Sequence, residues 1–170
     1  MSIYEKTFAK TDRTDAILIV QGKKLHVEKA LLSYHSAHFN ALFNAEFKEK
    51  SMAEIPIEDV NFKEFATLLS LFQRNPIVPT ENNAEKLLEL ADRFLITSVK
   101  RQLELFLIST KIDNLEKIRI AEKYELDDLM TRAAQWYNRR EEFKEMKERI
   151  EYQQLKDSTK VKLFYRFLKI

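Results

Sequence analysis

The stretch DAILIVQGKKLHVEKALLSYHSAHFNALF, Asp15 to Phe43, decides how the rest of the chain is read. It opens with AILIV, a short unbroken apolar run rich in β-branched residues, which reads as a buried strand. Gln21 and Gly22 turn the chain, and KKLHV returns as a second strand, giving a β-hairpin. From Glu28 the spacing of apolar residues changes from strand-like to helical. Ala30, Leu31 and Tyr34 fall on one helical face, and Phe39, Leu42 and Phe43 on that of a second short helix starting near Ser36.

Working outward, EIPIEDV sets Ile55 and Ile57 between polar residues, a half-buried strand that Pro56 places at a sheet edge. Asn61 then caps a helix striped with Phe62, Phe65, Leu69 and Phe72. Gln73 to Asn83, with two prolines, is the one evident loop. Beyond it the chain reads as helix to its end. The stripes are Leu87, Leu88, Ala91 and Leu95, then Val99, Leu103, Phe106 and Leu107, then Leu115, Ile118 and Ala121 behind Asp113. Leu126, Leu129, Ala133 and Trp136 follow, then Phe143, Met146 and Ile150, and finally Val161, Phe164, Tyr165 and Leu168. Glu145 and Arg149 are expected to pair on a wet face.

Composition excludes several classes. The 170 residues carry 29 Lys plus Arg against 27 Asp plus Glu, so no one-signed field suits nucleic acid or a membrane surface. There is no cysteine, hence no disulfide, thiolate metal site or cysteine nucleophile. A single glycine, Gly22, leaves nothing from which to build a phosphate-binding loop. With no signal-like segment and no long apolar run, the expected location is intracellular, cytoplasm or nucleus.

No catalytic constellation is expected. His35 and His38 share a spacing compatible with a metal, yet only His26 could add to them, and a zinc site needs more. Ser33, His35 and Ser36 lack a recognisable oxyanion loop. The pairs Asp127–Asp128 and Glu141–Glu142 read as solvated helix faces. Neither enzyme activity nor a metal or cofactor follows. What is abundant is amphipathic helix and phenylalanine, 12 in all, several beside charge: Phe8, Phe47, Phe143, Phe164 and Phe167. Some of that apolar surface suits protein partners.

The opening stretch resembles the signature half of a BTB (POZ) domain, carried by Asp15, Gly22, Lys29, Ala30, Leu32, Ser36, Phe39, Leu42 and Phe43. EIPIEDVNFKEFATLLSLFQ and NNAEKLLELADRFLI are similar to that family's later strand and helices. The resemblance implies an α+β fold, a small three-stranded sheet with surrounding helices over residues 15–109. Residues 1–14 precede it as a segment able to join a dimer interface. Residues 110–170 are similar to the all-α extension called three-box or BACK. Among subgroups the chain looks most like speckle-type MATH-BTB adaptors, although no separate substrate-binding module is expected within it. Glu28 stands where family members often have His.

In adaptors of this family that recruit cullin-3-type ubiquitin ligase scaffolds, a hydrophobic-x-Glu motif follows the second helix. Phe47-Lys48-Glu49 occupies that slot. The resemblance therefore implies a cullin-facing surface of Phe43, Phe47, Glu49, Lys50, Asn75, Pro76 and Tyr124. It also implies a dimer face of Ile3, Tyr4, Phe8, Leu31, Leu32 and His35. Composition alone favours Phe47 folding back on Phe43 and the helix at Phe62, and it is the resemblance that turns the reading to a partner anchor. The expected function is a homodimerising adaptor for a cullin-3-type E3 ligase. The alternative is a BTB oligomerisation module that pairs with other BTB proteins without ligase recruitment.

Overall fold

A computed structural model describes residues 2–44 and 54–169. The chain divides into two compact units, Met1–Leu103 and Glu104–Ile170.

The first unit is built on a three-stranded sheet of order β2-β1-β3, with β1 Ala16–Val20, β2 Lys23–Val27 and β3 Glu54–Pro56. β1 is central, which is why its apolar run is unbroken: Ala16, Leu18 and Val20 are buried, Ile17 and Ile19 half-buried. It pairs antiparallel with β2, Leu18 opposite Leu25, and parallel with β3, Leu18 opposite Ile55. β3 is an edge strand, as Pro56 requires. The hairpin turn puts both Gln21 (φ 50°) and Gly22 (φ 73°) in the left-handed region, whose twist suits a two-residue connection. Gln21 is strained there, and its side chain is held by accepting the Phe62 amide at 3.0 Å.

Two residues of the opening stretch act at a distance. Asp15 Oδ1 accepts the amide of Lys29 at 2.7 Å, satisfying the start of α2 (Lys29–His35), where Glu28 makes no side-chain cap. Buried Ser36 accepts the Phe39 amide at 3.0 Å, starting α3 (Ala37–Asn44), and donates to the Phe94 carbonyl at 2.6 Å. Phe39 consequently sits among rings, 5.6 Å from Phe94, 5.8 Å from Phe43 and 6.4 Å from Phe65. This aromatic cluster is the heart of the first unit. Around it lie α1 (Ile3–Thr7), α4 (Phe62–Ser70) and α5 (Ala84–Arg93). Asn61 caps α4 by accepting from Lys63 and Glu64. A 3-10 turn, Thr97–Val99, leads to α6, Lys100–Ser109.

The second unit is all helix: the end of α6, then α7 (Asn114–Tyr124), α8 (Asp127–Trp136), α9 (Arg140–Glu148), α10 (Ile150–Gln153) and α11 (Asp157–Phe167). Its core joins Leu115, Ile118, Ala133, Phe143, Met146, Tyr152, Leu155 and Leu163. Asp113 caps α7 as its position suggests, accepting from Leu115 and Glu116.

Several stripes differ from expectation. In α2 the buried residue is Leu32, while Tyr34 is 85 % exposed. Trp136 and Ile150, placed inward by period, are exposed, because α8 ends at Trp136 and a break at Arg149 turns Ile150 outward. In α11 the buried residues are Thr159 and Leu163, and the four residues expected inward all face solvent. Arg149 pairs with Asp113 and Glu151.

Candidate functional site

The residues expected at a self-association face belong to the first unit. α1 lies along α4 of its own chain, Tyr4 meeting the Phe62 ring edge-on at 5.7 Å, while Ile3 stays exposed. The segment after α1 is tied to β2 by the His26 amide donating to the Phe8 carbonyl at 3.2 Å. Phe8 is buried. It lines a cleft of about 380 Å³ together with Leu31, Leu32, Phe72, Arg13 and Arg74. Phe8, Leu31 and Leu32 are thus brought together around one depression. Leu32 and Phe8 form its floor, and Leu31 is half-buried.

His35, in the last turn of α2, stacks flat on Phe72 at 4.4 Å and shares a hydrogen bond of 3.0 Å with Ser98. Tyr34 meets it edge-on at 5.0 Å. Burial disfavours the His35 cation and lowers its pKa. His38 points elsewhere, edge-on to Phe39 and Phe94, and its pKa is lowered by burial and then by Arg93. The two histidines have different partners. Tyr34, expected on one helical face with Ala30 and Leu31, is exposed here, and Phe72, expected in the stripe behind Asn61, joins this face together with Ser98, which the sequence did not single out. The direct neighbour of His35 in a short helix was the available signal.

Of the residues expected to face a cullin, Phe43 is buried, stacked on Phe39 with the Lys29 ammonium 5.8 Å from its ring centroid. Asn75 and Pro76 are exposed at the tip of the proline loop. That loop is anchored by Ser70, whose hydroxyl donates to Thr67 and accepts the amide of buried Ile77 at 2.9 Å. Phe47, Glu49 and Lys50 lie outside the described residues. On either side of them, Leu42 of α3 and Ile55, Pro56 and Ile57 at β3 line a cleft of about 570 Å³ with His38 and Arg93. Arg93 fixes the outgoing chain by donating to the carbonyls of Asp59 and Glu58.

Tyr124 belongs to the second unit. It is buried, with the Lys123 ammonium 4.9 Å from its ring centroid. A depression of that unit, about 670 Å³, is lined by Lys111, Asp113, Lys117, Leu129, Arg132 and Trp136. Lys117 is itself buried, and its ammonium donates to the carbonyls of Ile108 and Thr110 at the end of α6. Trp136 stands 65 % exposed at the rim.

Beside it, Arg149 bonds Asp113 at 2.9 Å and Glu151 at 3.0 Å. Burial alone pushes the Asp113 carboxyl up, but Arg149 and the Glu116 and Leu115 amides outweigh it and hold it below the usual range. Burial, reinforced by the Asp113 carboxylate, pushes the Tyr137 hydroxyl up to about 12. These shifts serve an ion network at the start of α7. Among the described residues no cluster of three His, Asp or Glu could hold a metal. No described helix is long and apolar enough to cross a membrane.

Comparison with known proteins gives this arrangement a context. The family model for the BTB/POZ domain matches residues 4–111. A BTB/POZ domain-containing protein of Caenorhabditis elegans is 34 % identical over 168 residues, covering 98 % of this chain and 53 % of that protein. BTB and MATH domain-containing protein 36 of the same organism is 37 % identical over 121 residues, 71 % of this chain and 38 % of its own length. Its protein 38 is 32 % identical over 170 residues, 98 % of this chain and 43 % of that one. The chain therefore spans about half or less of the curated relatives it matches. The solved BTB domain of human gigaxonin is similar at 20 % identity with a TM-score of 0.49, covering 62 % of this chain and 96 % of that one.

Proposed function

The chain belongs to the BTB/POZ domain family, and from that premise we propose that it is a dimerising adaptor that recruits a cullin-3-type E3 ubiquitin ligase scaffold. The coarser statement, a protein-interaction module, follows from the family and its BTB and MATH relatives. What supports the finer one is the place of Phe47-Lys48-Glu49. The motif falls in the connection that leaves α3 at Asn44 and enters β3 at Glu54, the position the resemblance assigns to a cullin-binding motif. The exposed loop of Asn75 and Pro76 and the cleft between Leu42 and Ile57 offer surface in the same unit.

In this reading Phe47 enters an apolar groove of the scaffold, and Glu49 and Lys50 fix the polar rim. Phe43 acts beneath the surface by packing α3, and Tyr124 by packing α7. The exposed side of Ile3, with Tyr4, Leu31 and His35 over the floor of Phe8 and Leu32, forms the self-association face. Ubiquitin transfer belongs to the recruited ligase.

Calorimetric titration of the full chain with a cullin-3 N-terminal domain, beside Phe47→Ala, tests this. Wild-type binding that weakens by roughly 2 kcal/mol or more in the variant, at an unchanged melting curve, is expected for a buried aromatic anchor. No binding by the wild type overturns the adaptor reading and leaves the pairing module.

A further inference from the structure

The cleft over Phe8 and Leu32 carries charges of both signs that the chain does not use itself. Its floor is apolar, with Phe8, Leu32 and Leu69 all buried, and Arg13, Glu28 and Arg74 line it above them. Among the described residues, the side chains of these three make no hydrogen bond or ion pair. Arg13 and Arg74 are exposed, but Glu28 is half-buried. It precedes α2 without capping it, so its carboxylate is partly withdrawn from water with nothing gained inside the chain.

The backbone beneath each charge is fixed. The Thr11 amide donates to Thr14 Oγ1 at 3.0 Å and the Arg13 amide to Thr11 Oγ1 at 3.3 Å, which holds Arg13 in a bend. The Glu28 carbonyl accepts the Leu32 amide at 3.1 Å, and Arg74 follows Gln73, whose amide donates to the Ser70 carbonyl at 2.8 Å. Less ordering is left to be done when a partner arrives.

The mixture of signs chooses the occupant. A small anion or an acidic peptide drawn to the two guanidiniums would lie beside the Glu28 carboxylate. A basic peptide drawn to Glu28 would lie beside the guanidiniums. The complement must therefore carry both signs over an apolar surface, and a second copy of this cleft does. Across a two-fold axis, a residue that meets another is matched by the converse contact, so opposite signs fall opposite one another twice.

We propose that two chains join cleft to cleft, with Glu28 of one protomer set between Arg13 and Arg74 of its partner, and that this crossed pairing decides which chains join. The inference rests on the self-association face proposed above and adds to it the residues that set specificity. A surface with the same apolar floor but a basic residue in place of Glu28 would meet the two arginines with like charge and be refused.

Sedimentation equilibrium of the full chain tests this with two charge reversals, Glu28→Arg and Arg13→Glu/Arg74→Glu. The wild type is expected to be a dimer. Each reversal alone sets like charges opposite one another and should weaken dimerisation about tenfold or more. Mixed in equal amounts, at a concentration where neither dimerises alone, the two variants present opposite signs at both contacts and should form dimers again. A folding defect in either variant would not be repaired by mixing, so the recovery reads the pairing itself. Dimers indifferent to both reversals, or weakened variants that mixing does not recover, overturn the crossed pairing and leave the self-association face standing. A wild type that stays monomeric at about 100 μM overturns that face as well.

Discussion

The two units solve the same problem, closing short helices into a core, by different means. The first closes around rings: Phe39, Phe43, Phe65 and Phe94 touch one another, and caps such as Asn61 and Ser36 stand where the local sequence supplies them. The second, apart from α7 behind Asp113, begins helices after residues that make no side-chain cap, as only α2 and α5 do in the first. α8 starts after Leu126, α9 after Arg139 and α11 after Lys156.

Carboxylates supply the missing acceptors, two from distant segments and one, Glu142, from the first turn of α9 itself. Buried Glu104 accepts the Leu129 amide at 2.9 Å, Glu142 accepts the amides of Asn138 and Arg139, and Glu122 accepts that of Lys156. Lys117 and Arg166 do the converse, donating to carbonyls near the ends of α6 and α8. The difference teaches that a helix end needs a partner of the right polarity, not a particular neighbour in sequence.

Substitutions can break that contrast. Phe39→Ala removes the ring at the centre of the aromatic cluster and is expected to cost about 3–5 kcal/mol, read by denaturant unfolding followed by circular dichroism. A cost below about 1 kcal/mol would mean the first unit does not depend on its rings. Glu104→Leu leaves the Leu129 amide without its buried acceptor and should cost about 1–3 kcal/mol. Trp136, the single tryptophan, closes that helix and reports it by fluorescence. An unmoved fluorescence transition would show that α8 needs no borrowed cap.

The smallest effect is expected at Arg149→Met, about 0–1 kcal/mol at pH 7, because its pairs are partly exposed. Here the sign can be worked out. Asp113 is held below its ordinary 3.8, so its contribution is present above that value and is lost as pH falls through the folded-state pKa. Melting curves of wild type and variant should therefore differ at pH 7 and draw together as the pH falls below 3.8. A gap that widens on acidification would contradict the network.

The hairpin, the edge strand and the α4 stripe were legible because alternation and helical period are local signals, and the BTB resemblance rested on them. Asp15 and Ser36 were legible as signature positions, but their bonds to Lys29 and Phe94 are tertiary and no spacing rule foretells them. α11 was read at the wrong phase because both its faces are apolar, and periodicity alone cannot choose between Leu163 and Phe164. Tyr34, Trp136 and Ile150 mislead for a related reason: they stand at or near helix ends, where the expected face has nothing left to cover it. Of the candidate site, the order of α3, the Phe47 motif and β3 was legible. The cleft of Leu31 and Phe8 was legible only as a set of residues, since its walls come from four separate segments.

The pairing of β1 sets a timetable. β2 reaches it across a two-residue turn, but β3, its parallel neighbour, arrives roughly 40 residues later in synthesis. At ribosomal rates of about 5–20 residues per second, one edge of AILIV waits on the order of 2 to 8 seconds for its partner. During that interval the stickiest strand of the protein is half-finished, a window in which a chaperone has something to hold.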